Sequence, residues 1–525
     1  MELINYFPHS SFRKGQKESI LNIQEAIECD YKNIILDAGT GTGKSAIART
    51  LVEYYNKEFN QNSYILTSTK ILQEQYFSEC IQNKHHINYR TCKGRSNFLC
   101  NFNGGYISCT DGECKNKDGF KCPYRFKVDA GDFLEGCEYF NQKEEALKSD
   151  VAICNYDILL SDYNINYFDT RHLSICDEAH NINDKIMNRI GLTLNEKRLS
   201  KLIGLRFSYE DFNNDTIDYW IIKLYELYDI LKEHIDKSDM YSHSPKEVEQ
   251  LEHLAQRINA RVYDIVENPN FWFVYSDKFD RKIIIKPLEI SAYADDYLLN
   301  KSDIQIYMSG SIVDKDNFSK YLGLNEDDVY YIKQESSFNL KEISPIIPKY
   351  VGKLSYKMKK RYLPKTIPVI EEILENHNDE KGIIHAHSKE FTNYLMENVN
   401  SSRLITYNSS DEKEDVLEYF EESDENDVIV SYSLQEGINL PYDNIRFQIL
   451  FKTPFQSLAD PQIKALSEID PQWYNIETIR TIVQTIGRGI RAEDDYCCNY
   501  LIDSLFKQII NNKSFPTELK ECVGD

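Results

Sequence analysis

Long hydrophobic runs are what this sequence most plainly lacks. No apolar stretch approaches the ~18 residues needed to span a bilayer, which excludes a transmembrane protein. The start, Met1-Glu2-Leu3-Ile4-Asn5, has no basic segment leading into an apolar block. A secretory signal is therefore not expected, and the expected location is the cytoplasm. Positive charge is also scarce, with 61 Lys and Arg against 84 Asp and Glu and a net charge of −23. That balance argues against a protein that coats nucleic acid indiscriminately, because phosphate neutralisation needs Lys and Arg. Solenoid repeats and low-complexity tails are absent from the 525 residues. Apolar residues make up 41% and charged residues 28%, so the chain can bury real cores. At ~150 residues per domain, three or four domains are expected.

Two stretches depart from the acidic average. Cys80 to Thr110 contains no Asp or Glu but carries Lys84, Arg90, Lys93 and Arg95. Ile343 to Ile370 is likewise free of acid and holds Lys349, Lys353, Lys357, Lys359, Lys360, Arg361 and Lys365, interleaved with Tyr350, Tyr356 and Tyr362. Backbone charge with base-stacking aromatics suits single-stranded nucleic acid; a solvated basic loop is the plainer alternative. The 13 cysteines are an odd number in a chain without a secretory signal, so a disulfide framework is not expected. Cys100, Cys109, Cys114, Cys122 and Cys137 crowd into one Gly- and Asn-rich region with little periodicity, which needs a metal or ligand to hold it. Cys29, Cys80, Cys154 and Cys176 lie in apolar contexts and read as small core residues.

Strand and helix signals alternate at both ends of the chain. Asn33 to Leu36, Tyr64 to Thr67 and His172 to Cys176 read as strands, with helices after the first and from Lys70. Gly382 to Ala386, Asp427 to Ser431, Ile445 to Phe451 and Asn499 to Ile502 repeat the pattern. Alternation of this kind predicts parallel α/β sheets. Between about 185 and 295 the pattern turns largely helical, with Trp220, Leu224, Leu227 and Leu231 as one buried face.

Three motifs carry chemistry. Ala38-Gly39-Thr40-Gly41-Thr42-Gly43-Lys44-Ser45 follows a strand and opens a helix. Its glycines let backbone N–H groups turn around phosphate oxygens, Lys44 neutralises the β/γ-phosphates, and the Ser45 hydroxyl reaches Mg²⁺. A dinucleotide fingerprint read from Gly41 would end at Ala46, but it leaves Lys44-Ser45 unexplained. Asp177-Glu178-Ala179-His180 ends another strand. One carboxylate there suits Mg²⁺ and its neighbour suits the attacking water. Gln484-Thr485-Ile486-Gly487-Arg488-Gly489-Ile490-Arg491 offers two arginines on one helix face, able to reach a γ-phosphate across a cleft.

These motifs, in this order, resemble those of XPD- and DinG-like helicases of superfamily 2 along most of the chain. Phe12-Arg13-Lys14-Gly15-Gln16 looks like the Q motif, which implies Gln16 on the adenine. Thr67-Ser68-Thr69-Lys70, with Gln73 and Gln75, looks like motif Ia, and Met308 to Ile312 stands where the family has Ser-Ala-Thr-Leu. Ser433 to Pro441 resembles motif V, bringing in Gly437, with Asn439 where Asp is more usual. Lys452-Thr453-Pro454-Phe455 with Asp460-Pro461 also matches. The resemblance implies that His180 couples the nucleotide to neighbouring motifs. It also implies an iron–sulfur domain between motif Ia and the Asp-Glu-Ala-His box. Lys93 to Cys100 resembles the approach to the first ligand, and Cys137-Glu138-Tyr139-Phe140 the last. Two more ligands come from Cys109, Cys114 and Cys122; the favoured 4Fe–4S set is Cys100, Cys109, Cys114 and Cys137. Read from the residues alone, four thiolates could equally hold Zn²⁺.

The expected fold is α/β, with two RecA-like P-loop motor domains, an inserted Fe–S domain and an inserted helical arch. The expected ranges are 1–87, 145–185 and 296–342 for the first motor, 88–144 for the Fe–S domain, 186–295 for the arch and 343–525 for the second motor. The implied function is an ATP- and Mg²⁺-dependent DNA helicase moving 5′ to 3′, a monomer on single-stranded and forked DNA. A nucleic-acid-stimulated translocase that separates no strands is the first alternative, and a redox-gated DNA-binding module the second. An attached exonuclease is not expected, because the Q-like motif starts near residue 12.

Overall fold

The computed structural model describes residues 2–524 except 40, 82–84, 117–121, 125–135, 162–166, 239, 408, 433–443, 491 and 493. The first part of the chain lays down β1 (Asn33–Ala38), β2 (Ser63–Thr67), β3 (Tyr89–Cys92), β4 (Val151–Asn155) and β5 (Arg171–Asp177). An insertion follows with β6 (Leu192–Asn195), β7 (Trp272–Asp277) and β8 (Lys282–Pro287), and the chain returns with β9 (Ser302–Ser309) and β10 (Val329–Gln334). Seven of these strands pair in parallel in the order β10-β1-β9-β5-β2-β4-β3. Their apolar runs are buried on both faces, as a parallel sheet covered by helices requires. Ile35, Tyr64, Ala152 and Cys154 feed one core, while their neighbours Ile34, Leu36, Ile65, Val151 and Ile153 feed the other.

A second parallel sheet comprises β11 (Ile346–Gly352), β12 (Gly382–His385), β13 (Leu404–Ile405), β14 (Val428–Ser431), β15 (Phe447–Leu450) and β16 (Cys498–Asp503), in the order β11-β16-β15-β12-β14-β13. The four strands expected here are all present within a residue or two of their anticipated ends.

The insertion holds two long helices, Ile217–Asp236 and Pro245–Glu267, and Trp220, Leu224, Leu227 and Leu231 are buried as anticipated. It is not wholly helical: β6, β8 and β7 form a small antiparallel sheet. Burial alternates along β8, the two-residue period of a half-covered strand. This insert shares one continuous apolar core with a face of the first sheet, so the two fold against each other.

The cysteine-rich stretch is also narrower than expected. β3, inside the expected 88–144 range, pairs with β4 as the edge of the first sheet. The helix Glu138–Lys148 returns the chain to that edge: Lys93 N donates to Gln142 Oε1 at 2.8 Å, and Gln142 Nε2 donates to Lys93 O at 2.7 Å. The buried Arg171 guanidinium donates to the carbonyls of Ala146, Leu147, Ser149 and Asp150, satisfying the helix's C-terminal acceptors. Cys80, Cys154 and Cys176 are core residues, but Cys29 is exposed, since it caps the end of the helix Gln16–Glu28. No helix among the described residues is long and apolar enough to cross a membrane.

Candidate functional site

β1, β9 and β5 are neighbours in the first sheet, so their C-terminal ends set Ala38, Ser309 and Asp177 side by side. This edge is where parallel α/β sheets bind ligands. The phosphate loop leaves Ala38, and the helix Lys44–Phe59 begins at Lys44-Ser45. Gly41 and Gly43 have φ of 79° and 77°, the left-handed region open to glycine. Thr42 Oγ1 donates to Gly39 O at 2.8 Å, and Lys44 Nζ donates to Ala38 O at 3.1 Å.

Gln16 is buried against this loop. Its Oε1 accepts from Arg13 N at 2.7 Å and its Nε2 donates to Gly43 O at 3.3 Å. The carboxamide expected on the adenine therefore also locks the loop to the N-terminal segment. Arg13 Nη1 and Ser337 Oγ both donate to Gly41 O, at 2.6 and 3.1 Å. The Phe338 ring lies over Gly41 so closely that a Cβ there would meet it at 2.2 Å.

Asp177 ends β5 in a buried position. Its Oδ2 accepts from Tyr76 OH at 3.1 Å, while Oδ1 has no hydrogen-bond partner among the described residues. Burial, reinforced by the Glu178 charge, pushes the Asp177 carboxyl up to about 6, with Lys44 and Tyr76 opposing. A buried, unpaired carboxylate oxygen facing a lysine is costly by itself. It fits a site that a divalent cation and nucleotide phosphates complete. Glu178 sits at φ 50°, a left-handed turn at the strand end. Its Oε2 is 3.4 Å from His180 Nδ1, which is also 2.8 Å from Ser309 Oγ. Burial, opposed by the Glu178 charge and aided by the Arg480, Lys44 and Arg488 charges, pushes His180 down to about 4, so its ring is neutral at neutral pH.

The second domain reaches the same place. Gln484 Nε2 donates to Ser311 Oγ at 3.4 Å and Arg480 Nε donates to Ser311 O at 3.1 Å. Arg488 lies close enough for its charge to act on His180, but in the turn after the helix Pro471–Ile486 and not on the helix face expected from its spacing. The helix stops because Gly487 and Gly489 follow, and a Cβ at Gly489 would collide with Cys497 at 2.5 Å. Lys44, Glu178, Gln484 and Arg488 thus act on one polar group formed by His180, Ser309 and Ser311, with Asp177 beside it; Gly39, Gly41, Thr42, Gly43 and Ser45 adjoin Lys44 in the chain. Arg491, Gly437 and the rest of Ser433–Pro441 lie outside the described residues.

Tyr76, Arg480, Ser337 and Phe338 were not anticipated. Tyr76 had a signal, as Gln73, Tyr76 and Cys80 form a buried stripe at helical spacing. Arg480 had one too, lying one turn before Gln484. Ser337 and Phe338 lie in an aperiodic connection and had none.

The five clustered cysteines gather as well. Cys100, Cys109 and Cys137 share a small apolar core with Tyr139 and Phe140, and Cys114 packs on it. Burial and the neighbouring Cys137, Cys100 and Cys114 push the Cys109 thiol up to about 12. Cys114 feels both Cys122 and Cys137, with Arg95 Nη1 at 3.8 Å from its sulfur. An all-sulfur donor set in an apolar pocket fits a soft metal or an iron–sulfur group. Among the described residues, however, no group of three or more His, Cys, Asp or Glu is arranged to hold a metal ion. His385 and His387 belong to the second domain's interior; His385 Nε2 lies 3.0 Å from Gln448 Oε1.

Comparison with known proteins agrees with this geometry. A family model described as type III restriction enzyme, res subunit, matches residues 9–208, and one described as helicase C-terminal domain matches 370–522. A solved XPD helicase structure superposes with a TM-score of 0.69 at 18% identity, covering 98% of each chain. The chain shares the fold of the XPD helicases. A solved Xpd4 of S. tokodaii matches with a TM-score of 0.57 at 15% identity, over 97% of this chain and 99% of that one. A probable ATP-dependent helicase of Methanocaldococcus jannaschii is 28% identical over 210 residues, which are 36% of this chain. A regulator of telomere elongation helicase 1 homolog of Drosophila ananassae is 30% identical over 107 residues, 18% of this chain and 11% of that protein. The match thus spans about a third (31%) of the archaeal relative's length.

Proposed function

We propose that the protein is an ATP-dependent DNA helicase, coupling ATP hydrolysis to 5′-to-3′ movement on single-stranded DNA and to duplex unwinding. The reading is supported by the polar network that links Lys44, the unpaired Asp177 oxygen and Glu178 to Gln484 and Arg488 through His180 and Ser311.

The chemistry follows from those positions. Lys44 and the loop N–H groups take the β- and γ-phosphates; Ser45 and Asp177 would hold Mg²⁺, which would neutralise phosphate charge there. Glu178, next to a neutral His180, orients the attacking water and accepts its proton. Arg488, with Arg491, stabilises charge on the leaving phosphates from the opposite domain, a role that contributes ~10³–10⁵ in rate in related chemistry. Closure brings the arginines in and hydrolysis releases them, so the two sheets ratchet along a strand. Contacts to phosphates and stacked bases make the movement largely independent of sequence.

The domain reading is two motor domains with a cysteine-rich domain and an arch inserted in the first. Cys100, Cys109, Cys114 and Cys137 would hold a 4Fe–4S cluster, with Cys122 the nearest substitute. When bound, the cluster supplies a rigid tie for an aperiodic loop, not electron transfer. The working form is a cytoplasmic monomer on single-stranded and forked DNA. Strand displacement with anaerobically purified protein tests the reading, using matched duplexes with 5′ or 3′ single-stranded tails. Displacement from the 5′-tailed duplex alone supports it. Displacement of neither, with DNA-stimulated ATPase intact, favours a translocase without strand separation.

A further inference from the structure

The loop after β9 is held from the second domain at two points. Arg480 Nε and Gln484 Nε2 bond Ser311, and the Asp314 Oδ2 acceptor takes Gln472 Nε2 at 3.2 Å and Ser514 Oγ at 3.1 Å. Between these grips Val313 has φ of 68°. That is a genuine outlier for a β-branched residue and a strain on the order of 1–3 kcal/mol. The surroundings must over-determine such a conformation, and both sets of restraints come from the other domain.

The same loop touches the hydrolytic residues. Ser311 N donates to Ser309 Oγ at 3.1 Å, Ser309 Oγ meets His180 Nδ1, and His180 meets Glu178. A continuous polar chain therefore runs from Arg480 in the second domain to Glu178 in the first. Arg480 is fixed in turn by a second bond, from Nη1 to Glu477 on the preceding turn of its own helix. Both side chains are largely buried, at 12% and 16% exposure, which strengthens the pair relative to a surface one.

Resting on the helicase reading, we propose that Arg480, oriented by Glu477, is a positioning residue that holds the Ser309–Asp314 loop in its strained form and so transmits closure of the two domains to His180 and Glu178. Arg480 touches no nucleotide in this scheme; it acts through Ser311. The guanidinium is needed because Nε and Nη1 serve two partners at fixed geometry, which a lysine cannot reproduce.

The test is steady-state ATP hydrolysis at saturating single-stranded DNA, with kcat and the KM for ATP measured separately. Arg480→Ala, Arg480→Lys and the double variant Arg480→Ala/Glu477→Gln are compared with the unaltered protein. The double variant removes the buried carboxylate charge that Arg480→Ala alone would strand, so it serves if the single variant fails to fold. The expected result is a fall of about tenfold or more in DNA-stimulated kcat in all three, with the KM for ATP within about twofold. Wild-type kcat in the folded double variant would overturn the proposal. A raised KM with unchanged kcat would also overturn it, since Arg480 would then be a nucleotide ligand. If the unaltered protein itself shows no DNA-stimulated hydrolysis, the helicase reading fails instead, and that control separates the two.

Discussion

Gly43 and Gln16 are bound to each other tightly enough to predict a coupled energy. A Cβ on Gly43 would lie 2.1 Å from Gln16 Nε2, and Gly43 has φ of 77°. Gly43→Ala therefore costs about 1–2 kcal/mol of left-handed strain. It also expels the Gln16 carboxamide, forfeiting its bonds to Arg13 N and Gly43 O at about 1 kcal/mol each. The expected total is about 3–4 kcal/mol, against about 2 for Gln16→Ala. In the double variant there is no side chain left to expel, so the cost stays at about 3–4 and not the additive 5–6 kcal/mol. The predicted coupling is about 2 kcal/mol, well above the ~0.5 kcal/mol scatter of independent sites. Chemical denaturation of the nucleotide-free protein, followed by circular dichroism, measures all four corners of the cycle. Strict additivity would refute the claim that Gln16 locks the phosphate loop.

Three further outcomes follow from the same geometry. Glu178→Gln should bind ATP yet hydrolyse it at least ~100-fold more slowly, the scale of a lost general base; wild-type turnover would remove Glu178 from the mechanism. Cys137→Ser should lose iron and strand displacement while keeping part of its ATPase, and unchanged iron content on elemental analysis would void the ligand set. For pH, Asp177 is raised from 3.8 to about 6, so its contribution to folding stability is present below pH 4 and is lost as pH rises through about 6. His180, lowered from 6.5 to about 4, has the opposite sign and loses stability as pH falls through that window. At limiting Mg²⁺, hydrolysis should therefore fall as pH drops through about 6, and saturating Mg²⁺ should move the acid limb lower by holding Asp177 ionised. An acid limb that ignores Mg²⁺ would speak against Asp177 as the metal ligand.

The motor sheets were legible because parallel strands buried on both faces leave short apolar runs, as at Ile34–Leu36 and Val428–Val430. The strand, glycine-rich loop and helix around Ala38–Ser45 and the strand end at Asp177 were legible because short apolar runs lead directly into residues of fixed type at fixed spacing. β3 was missed because Tyr89-Arg90-Thr91-Cys92 is a half-exposed edge strand inside an acid-free stretch, and nothing local distinguishes it from the loop that follows. The antiparallel β6-β8-β7 sheet was missed because the helical stripe around Trp220 dominated its surroundings. Arg488 was placed on a helix that ends two residues earlier, since spacing alone does not register the break at Gly487. The cross-domain bonds of Arg480 and the packing of Phe338 on Gly41 depend on tertiary closure, which periodicity does not encode.

In the proposed mechanism the Lys44 loop, Asp177-Glu178 and Arg488 form one ATP-hydrolysing site driven by a nucleic-acid strand. ATP hydrolysis with and without single-stranded DNA, comparing the unaltered protein with Lys44→Ala and Arg488→Ala, tests it most directly. DNA-stimulated turnover is expected in the unaltered protein and its loss in both variants, with the fold retained. Undiminished turnover in Lys44→Ala or Arg488→Ala would contradict it.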